Sequence, residues 1–155
     1  MKGLYIGKFQ PFHNGHVKAF EILNSFVDEV VIGLGSPKIS EQFDLTERIQ
    51  MIKVNTGIEP IILEDLGENH PDYWYWGNYV IGRVGKIDVI ATGNKDVRDD
   101  FIKQDIPVIW MPRFTNLSGT EIRKRISNQD DTWRELVPLV SAEIIETSSF
   151  YRRYN

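Results

Sequence analysis

The chain has 155 residues, a formal charge of −4 and no cysteine, with 41% hydrophobic and 26% charged residues. That composition belongs to one ordinary folded domain, and it excludes an intrinsically disordered chain, a disulfide-stapled scaffold and a thiolate metal site. So mild a negative charge gives no sequence-wide pull toward nucleic acid or an anionic membrane, and a phosphate site must come from a local concentration of basic groups.

Taken in chain order, the first element is a short β-rich run from Gly3 to Ile6. Lys8, Gln10 and His13 interrupt the apolar stretch there, leaving neither a signal-peptide core nor a membrane span, so the expected location is cytoplasmic. Gly15 to Phe26 places Val17, Phe20, Leu23 and Phe26 at helical spacing and predicts a crossover helix. A second run, Glu29 to Leu34, leads to a helix over Leu45 to Val54, and a third run covers Pro60 to Leu63. The aromatic stretch Tyr73-Trp74-Tyr75-Trp76, with Tyr79, then precedes a fourth run at Ile87 to Thr92. A weaker helix over Asn94 to Lys103 precedes the fifth run, Pro107 to Trp110. Ser118 to Ser127 is a helix opened by a serine cap, with Glu121 at the reciprocal capping-box position. Helical segments around Trp133 to Leu136 and Ser141 to Thr147, and an aromatic and basic tail from Phe150 to Asn155, complete the chain. The pattern predicts a single-domain, doubly wound parallel α/β sheet of five strands over residues 1–155, with a core of about 2–138 and a C-terminal helical segment and tail of about 139–155. In such sheets ligands bind beyond the carboxyl ends of the strands, so function belongs in the loops that follow them.

The loop after the first run reads Gly7-Lys8-Phe9-Gln10-Pro11-Phe12-His13-Asn14-Gly15-His16 and holds two of the chain's 3 histidines. Spaced three apart at a helix start, both imidazoles can project from the first turn, where exposed amides and the helix dipole favour an anion. Gly15 leaves room for close approach of phosphate to backbone. The alternative is a turn and cap with two incidental histidines; the spacing and the position after a strand favour phosphoryl or nucleotidyl chemistry. At the Ser118 helix, first-turn amides, the Ser118 and Thr120 hydroxyls and Arg123 suit a pyrophosphate, against the plainer reading of a capping box with a solvated arginine.

This first loop resembles the His-x-Gly-His signature of Rossmann-like nucleotidyltransferases, and its longer string resembles the archaeal-type nicotinamide-nucleotide adenylyltransferases. Ser118-Gly119-Thr120-Glu121-Ile122-Arg123 is similar to that family's Ser-x-Thr-x-x-Arg helix start, Gly35-Ser36 with Leu45 to Arg48 to a third signature, and Thr92-Gly93-Asn94 to a fourth. Two departures stand out: Lys8 replaces a usual arginine, keeping charge without the bidentate fork, and Pro37 to Asp44 is shorter than the usual loop.

The resemblance implies transfer of the adenylyl group of ATP to nicotinamide mononucleotide, with His13, His16, Lys8 and Arg123 as catalytic residues. Gly7, Phe9, Gln10, Gly15, Arg48, Ser118, Gly119 and Thr120 are the expected ATP contacts, and a surface position is the plainer reading of Arg48. Asp65, Trp76, Gly93 and Asn94 are the expected acceptor contacts. Trp76 is chosen over Trp74 as the face for a pyridinium ring, with core or subunit interface as the other reading of the aromatic stretch. His70 reads as a surface residue. A Mg2+ ion held by phosphates and water is implied, with no protein metal ligand, and so is a homo-oligomer that engages neither nucleic acid nor membrane. The alternatives are a sibling transferase for nicotinate mononucleotide, phosphopantetheine or FMN, or one using CTP, and a non-catalytic nucleotide sensor.

Overall fold

The computed structural model describes residues 1–38, 42–111, 113 and 117–155. Of the Pro37 to Asp44 segment, residues 39–41 therefore lie outside the described residues. The strands are β1 (Lys2–Gly7), β2 (Glu29–Gly35), β3 (Ile61–Leu63), β4 (Val89–Thr92) and β5 (Val108–Trp110). All pairings are parallel, in the order β3-β2-β1-β4-β5. The expected sheet is thus present, its strand order reversing between β1 and β4, which places the loops after those two strands side by side.

Side chains alternate across the sheet and feed two cores. Tyr5, Ile32, Leu34, Val89 and Ala91 face a larger cluster built with α1 (Asn14–Phe26), α2 (Leu45–Thr56) and α5 (Gly119–Ser127). Leu4, Leu63 and Ile90 face the opposite cluster, built with α3 (Trp76–Val84) and α4 (Lys95–Ile102). A 3-10 helix (Asp131–Leu136) follows, then α6 (Leu139–Thr147), which packs on α2, and α7 (Ser149–Tyr154), which packs on α5 and α6. The C-terminal segment thereby closes the larger core, with Ile144, Ile145 and Phe150 buried in it.

The structure adds one helix that the sequence pattern does not show and corrects one expected cap. The aromatic stretch runs into a nine-residue helix, α3, whose buried Val80 and Val84 lie one and two turns beyond Trp76. Its start carries no side-chain cap of its own; the Gly77 N–H donates instead to the Asp100 carboxylate of α4 at 2.9 Å. At α5 the Ser118 hydroxyl does accept from the Glu121 N–H at 3.1 Å, but Glu121 does not reach back to complete the box. Its carboxylate pairs with Arg125 one turn on, a helical i,i+4 ion pair.

Candidate active site

The loop after β1 ends in a capping box made entirely of histidine. The His13 Nδ1 accepts from the Gly15 N–H at 3.0 Å, and the His16 Nδ1 accepts from the His13 N–H at 3.1 Å. A nitrogen that accepts from an amide carries no proton, so each neutral ring bears its hydrogen on Nε2. The rings lie face to face, 3.7 Å between centroids and 22° apart in plane. His16 rests on an aromatic bed of Phe9 (4.8 Å) and Phe12 (5.4 Å). Burial lowers His13 to about 4 and takes His16 well below its ordinary value, with His13 disfavouring a second charge on His16. At neutral pH the pair is therefore uncharged, and it offers two N–H donors rather than two cations. Neither Nε2 has a protein partner among the described residues, and no fully buried side-chain nitrogen or oxygen there lacks one, so neither Nε2 is wholly sealed off although His13 as a residue is buried.

The Ser118 helix is packed directly onto this loop. Arg123 donates to the Gln10 carbonyl and to the Thr120 hydroxyl, the latter at 3.3 Å. Gly119 sits so close that a Cβ there would come within 2.5 Å of the same Gln10 carbonyl, and a Cβ on Gly15 would meet the His13 ring at 2.9 Å. The two glycines are thus required by contact, and the two signature segments form one surface. Lys8 is exposed at its rim, Ser118 and Thr120 are exposed on the helix start, and Gly7 lies beneath the Phe9 ring.

Three of the expected ATP contacts turn inward. Arg48 is 0% exposed and donates to the carbonyls of Lys8, Gly35, Ser36, Pro37 and Asp44 at 3.1–3.4 Å. Its guanidinium braces the loops after β1 and β2, so it is not the surface arginine of the plainer reading. Gln10 spends both polar side-chain atoms on Phe43. Phe9 is buried with φ 52, and its ring belongs to the core.

Among the expected acceptor contacts, Asp65 is exposed and accepts from the Ser36 hydroxyl at 3.3 Å, joining the loops after β2 and β3. The Trp76 indole donates to the Glu64 carbonyl at 3.3 Å, and the Glu64 N–H donates to the Tyr79 hydroxyl at 2.9 Å. Trp76 is therefore half-buried with a fixed edge, whereas Trp74 is 79% exposed. Gly93 follows β4, and a Cβ there would press within 3.2 Å of the Met111 carbonyl. Asn94 caps α4 by accepting from the Asp96 and Val97 amides. The exposed His70 accepts from the Asp72 N–H at 3.0 Å, as a loop residue would. No group of three or more His, Cys, Asp or Glu able to hold a metal ion occurs among the described residues.

A parallel sheet whose switch point carries neutral imidazole donors, a packed helix start and a fixed arginine is the frame of a nucleotide-handling α/β protein. Residues 4–125 match the cytidylyltransferase-like family model, and the chain belongs to that family. It is 40% identical over 158 residues to a nicotinamide-nucleotide adenylyltransferase of Thermococcus onnurineus, covering 94% of this chain and 82% of that protein. A protein of the same name from Methanococcus aeolicus is 36% identical over 149 residues, covering 89% of this chain and 84% of the relative. Among solved structures, a bifunctional NMN adenylyltransferase/ADP ribose pyrophosphatase from Francisella tularensis, complexed with AMP and a manganese ion, superposes with a TM-score of 0.70. It is 20% identical, and the match covers 99% of this chain and 51% of that one, which establishes the shared fold. No helix among the described residues is long and apolar enough to cross a membrane.

Proposed function

We propose that this chain transfers the adenylyl group of ATP to nicotinamide mononucleotide, giving NAD and pyrophosphate. The observation that carries the reading is the stacked His13–His16 pair, whose Nδ1 atoms accept from backbone amides and leave the Nε2–H groups for a ligand, on the loop whose Gln10 carbonyl Arg123 grips. An acceptor phosphate oxygen forms the new bond to the α-phosphorus as the bond to the bridging oxygen breaks, and pyrophosphate leaves in line. The nucleophile is already ionised, so no base is needed, and catalysis reduces to positioning and to stabilising developing charge. His13 and His16 donate to the α- and β-phosphate oxygens without surrendering a proton. Lys8 and Arg123 neutralise the triphosphate, with Ser118 and Thr120 at its far end. Arg48 serves by holding the loops rather than by touching phosphate. The site presents cations, amides and hydroxyls instead of a carboxylate cluster, which suits a substrate that arrives as its magnesium complex.

Trp76 supplies a π face for the pyridinium ring, Asp65 a carboxylate for the carboxamide or ribose, and Gly93 and Asn94 a backbone edge beside them. On this reading the protein is a cytoplasmic homo-oligomer whose partners are its two substrates, with no nucleic acid and no membrane. The deciding experiment measures pyrophosphate release from MgATP with nicotinamide mononucleotide, nicotinate mononucleotide, phosphopantetheine and FMN as acceptors. NAD formation with the first is expected. Turnover only with another acceptor would move the protein to a sibling reaction, and ATP binding without turnover would make it a sensor.

A further inference from the structure

Gln10 joins three segments of the molecule. Its side chain is 7% exposed, and its carboxamide makes a matched pair of bonds with Phe43: Nε2 donates to the Phe43 carbonyl and Oε1 accepts from the Phe43 N–H, both at 3.0 Å. The side chain thus acts as a short strand partner for the loop that leads into α2. Phe43 is itself fully buried, and it directly precedes Asp44, the residue that caps α2. On its other side the Gln10 main-chain carbonyl receives Arg123 and lies against Gly119 at the start of α5. Three residues further along the same loop, His13 caps α1.

Each polar atom of the carboxamide is engaged with Phe43 and the residue is buried, which directs the side chain at backbone rather than at solvent. A purely structural role is the main competitor, and it predicts a different experimental pattern. We propose that Gln10 is a positioning residue for adenylyl transfer, its carboxamide fixing the loop after β1 so that His13 and Arg123 are held in register with each other and with the loop before α2. The inference rests on the proposed reaction only in taking His13 and Arg123 as phosphate-directed.

The substitution Gln10→Glu separates the possibilities. When ionised, the introduced carboxylate would still accept from the Phe43 N–H but would set an anionic oxygen against the Phe43 carbonyl. When protonated, the same carboxyl would have the amide's shape and regain the donor. The charged groups flanking this contact are Arg123 on the residue 10 carbonyl, with Asp44 and Arg48 beside Phe43, and none bonds to the carboxamide itself.

The test compares kcat and both KM values for wild type, Q10E, Q10A, R123A and the Q10A/R123A double variant, well below their melting temperatures, between about pH 5.5 and about pH 8. Q10A is expected to lower kcat about tenfold or more while the KM for nicotinamide mononucleotide stays within about twofold. The double variant should lose less than the product of the single losses, because displacement of Arg123 is common to both. Q10E should match Q10A at the upper pH and recover toward wild type, measured at the same pH, at the lower. Normal kcat in Q10A with only a lowered melting temperature, multiplicative losses in the double variant, or a Q10E indistinguishable from wild type at the upper pH would each overturn the proposal. Should Q10A not fold, the two pH limits of Q10E carry the test within one protein. A wild type that makes no NAD is recognised before any substitution is introduced, and it overturns the proposed reaction together with this inference.

Discussion

Around the loop after β1, on the proposed ATP side, most polar groups are oriented by others: backbone amides fix the imidazole tautomers, the Gln10 carbonyl fixes Arg123, and buried Arg48 binds two loops together. On the proposed acceptor side, Asp65 has one 3.3 Å hydroxyl contact among the described residues, Trp76 is held by its indole edge, and Trp74 and Tyr75 are 79% and 62% exposed. The contrast teaches where each kind of information lies. A reaction that works by positioning donors needs a rigid frame, and such a frame leaves a motif of fixed spacing. Recognition of one acceptor among several needs only a face and an edge, which many local sequences can supply.

The comparison is broken most sharply at His16. If its Nε2–H stabilises charge that develops in transfer, His16→Ala lowers kcat by about a hundredfold or more while the KM for ATP changes far less. Nearly normal turnover would reduce His16 to a helix-start residue. Arg123→Ala comes next and should raise the KM for ATP as well as lower kcat, because a pyrophosphate grip acts in ground and transition states alike. An effect confined to the acceptor's KM would put Arg123 on the wrong side of the cleft.

Trp76→Ala should raise the KM for nicotinamide mononucleotide by about tenfold and leave that for ATP in place, with Trp76→Phe recovering part of the loss. If Trp74→Ala produces that effect instead, the stacking face lies two residues upstream. If neither does, the aromatic stretch is core or interface.

The smallest effect concerns stability. His13 titrates near 6.5 when unfolded and at about 4 in the fold, so between those values the unfolded chain binds the extra proton. Its contribution is fully present above about pH 6.5 and is lost as pH falls through about 4, amounting to at most about 3 kcal/mol. Denaturant titrations across that window should show the decline, to which buried His16 adds with the same sign, and His13→Ala should make it shallower. An unchanged slope would mean that His13 is no more buried than an ordinary surface imidazole.

The strands were legible because they announce themselves locally: each is a short β-rich run, and the five observed strands begin and end within about two residues of those runs. Helix α3 was hidden because Trp76 to Val84 contains two glycines and several weak helix formers, and its start is capped from Asp100, 23 residues beyond Gly77. The juxtaposition of His13 with His16, and of Ser118 with Arg123, follows from spacing. The inward turn of Arg48 does not, because its carbonyl acceptors come from three separated stretches that only the folded chain assembles. Gln10 was equally opaque: its partner lies 33 residues away, and a glutamine that grips backbone reads the same in sequence as one that grips nucleotide.

The tilted contact of Phe150 with Phe43, 5.3 Å between ring centroids, reaches further than the core it belongs to. Phe43 is the residue that Gln10 holds, so the last helix forms the back of a wall whose front is the reaction centre. A molecule nicked near Ser148 would keep every motif residue and nearly all of its secondary structure. Its catalytic output should nonetheless fade before its circular dichroism does, making wear at the C-terminal helix a silent route by which a stored preparation ages.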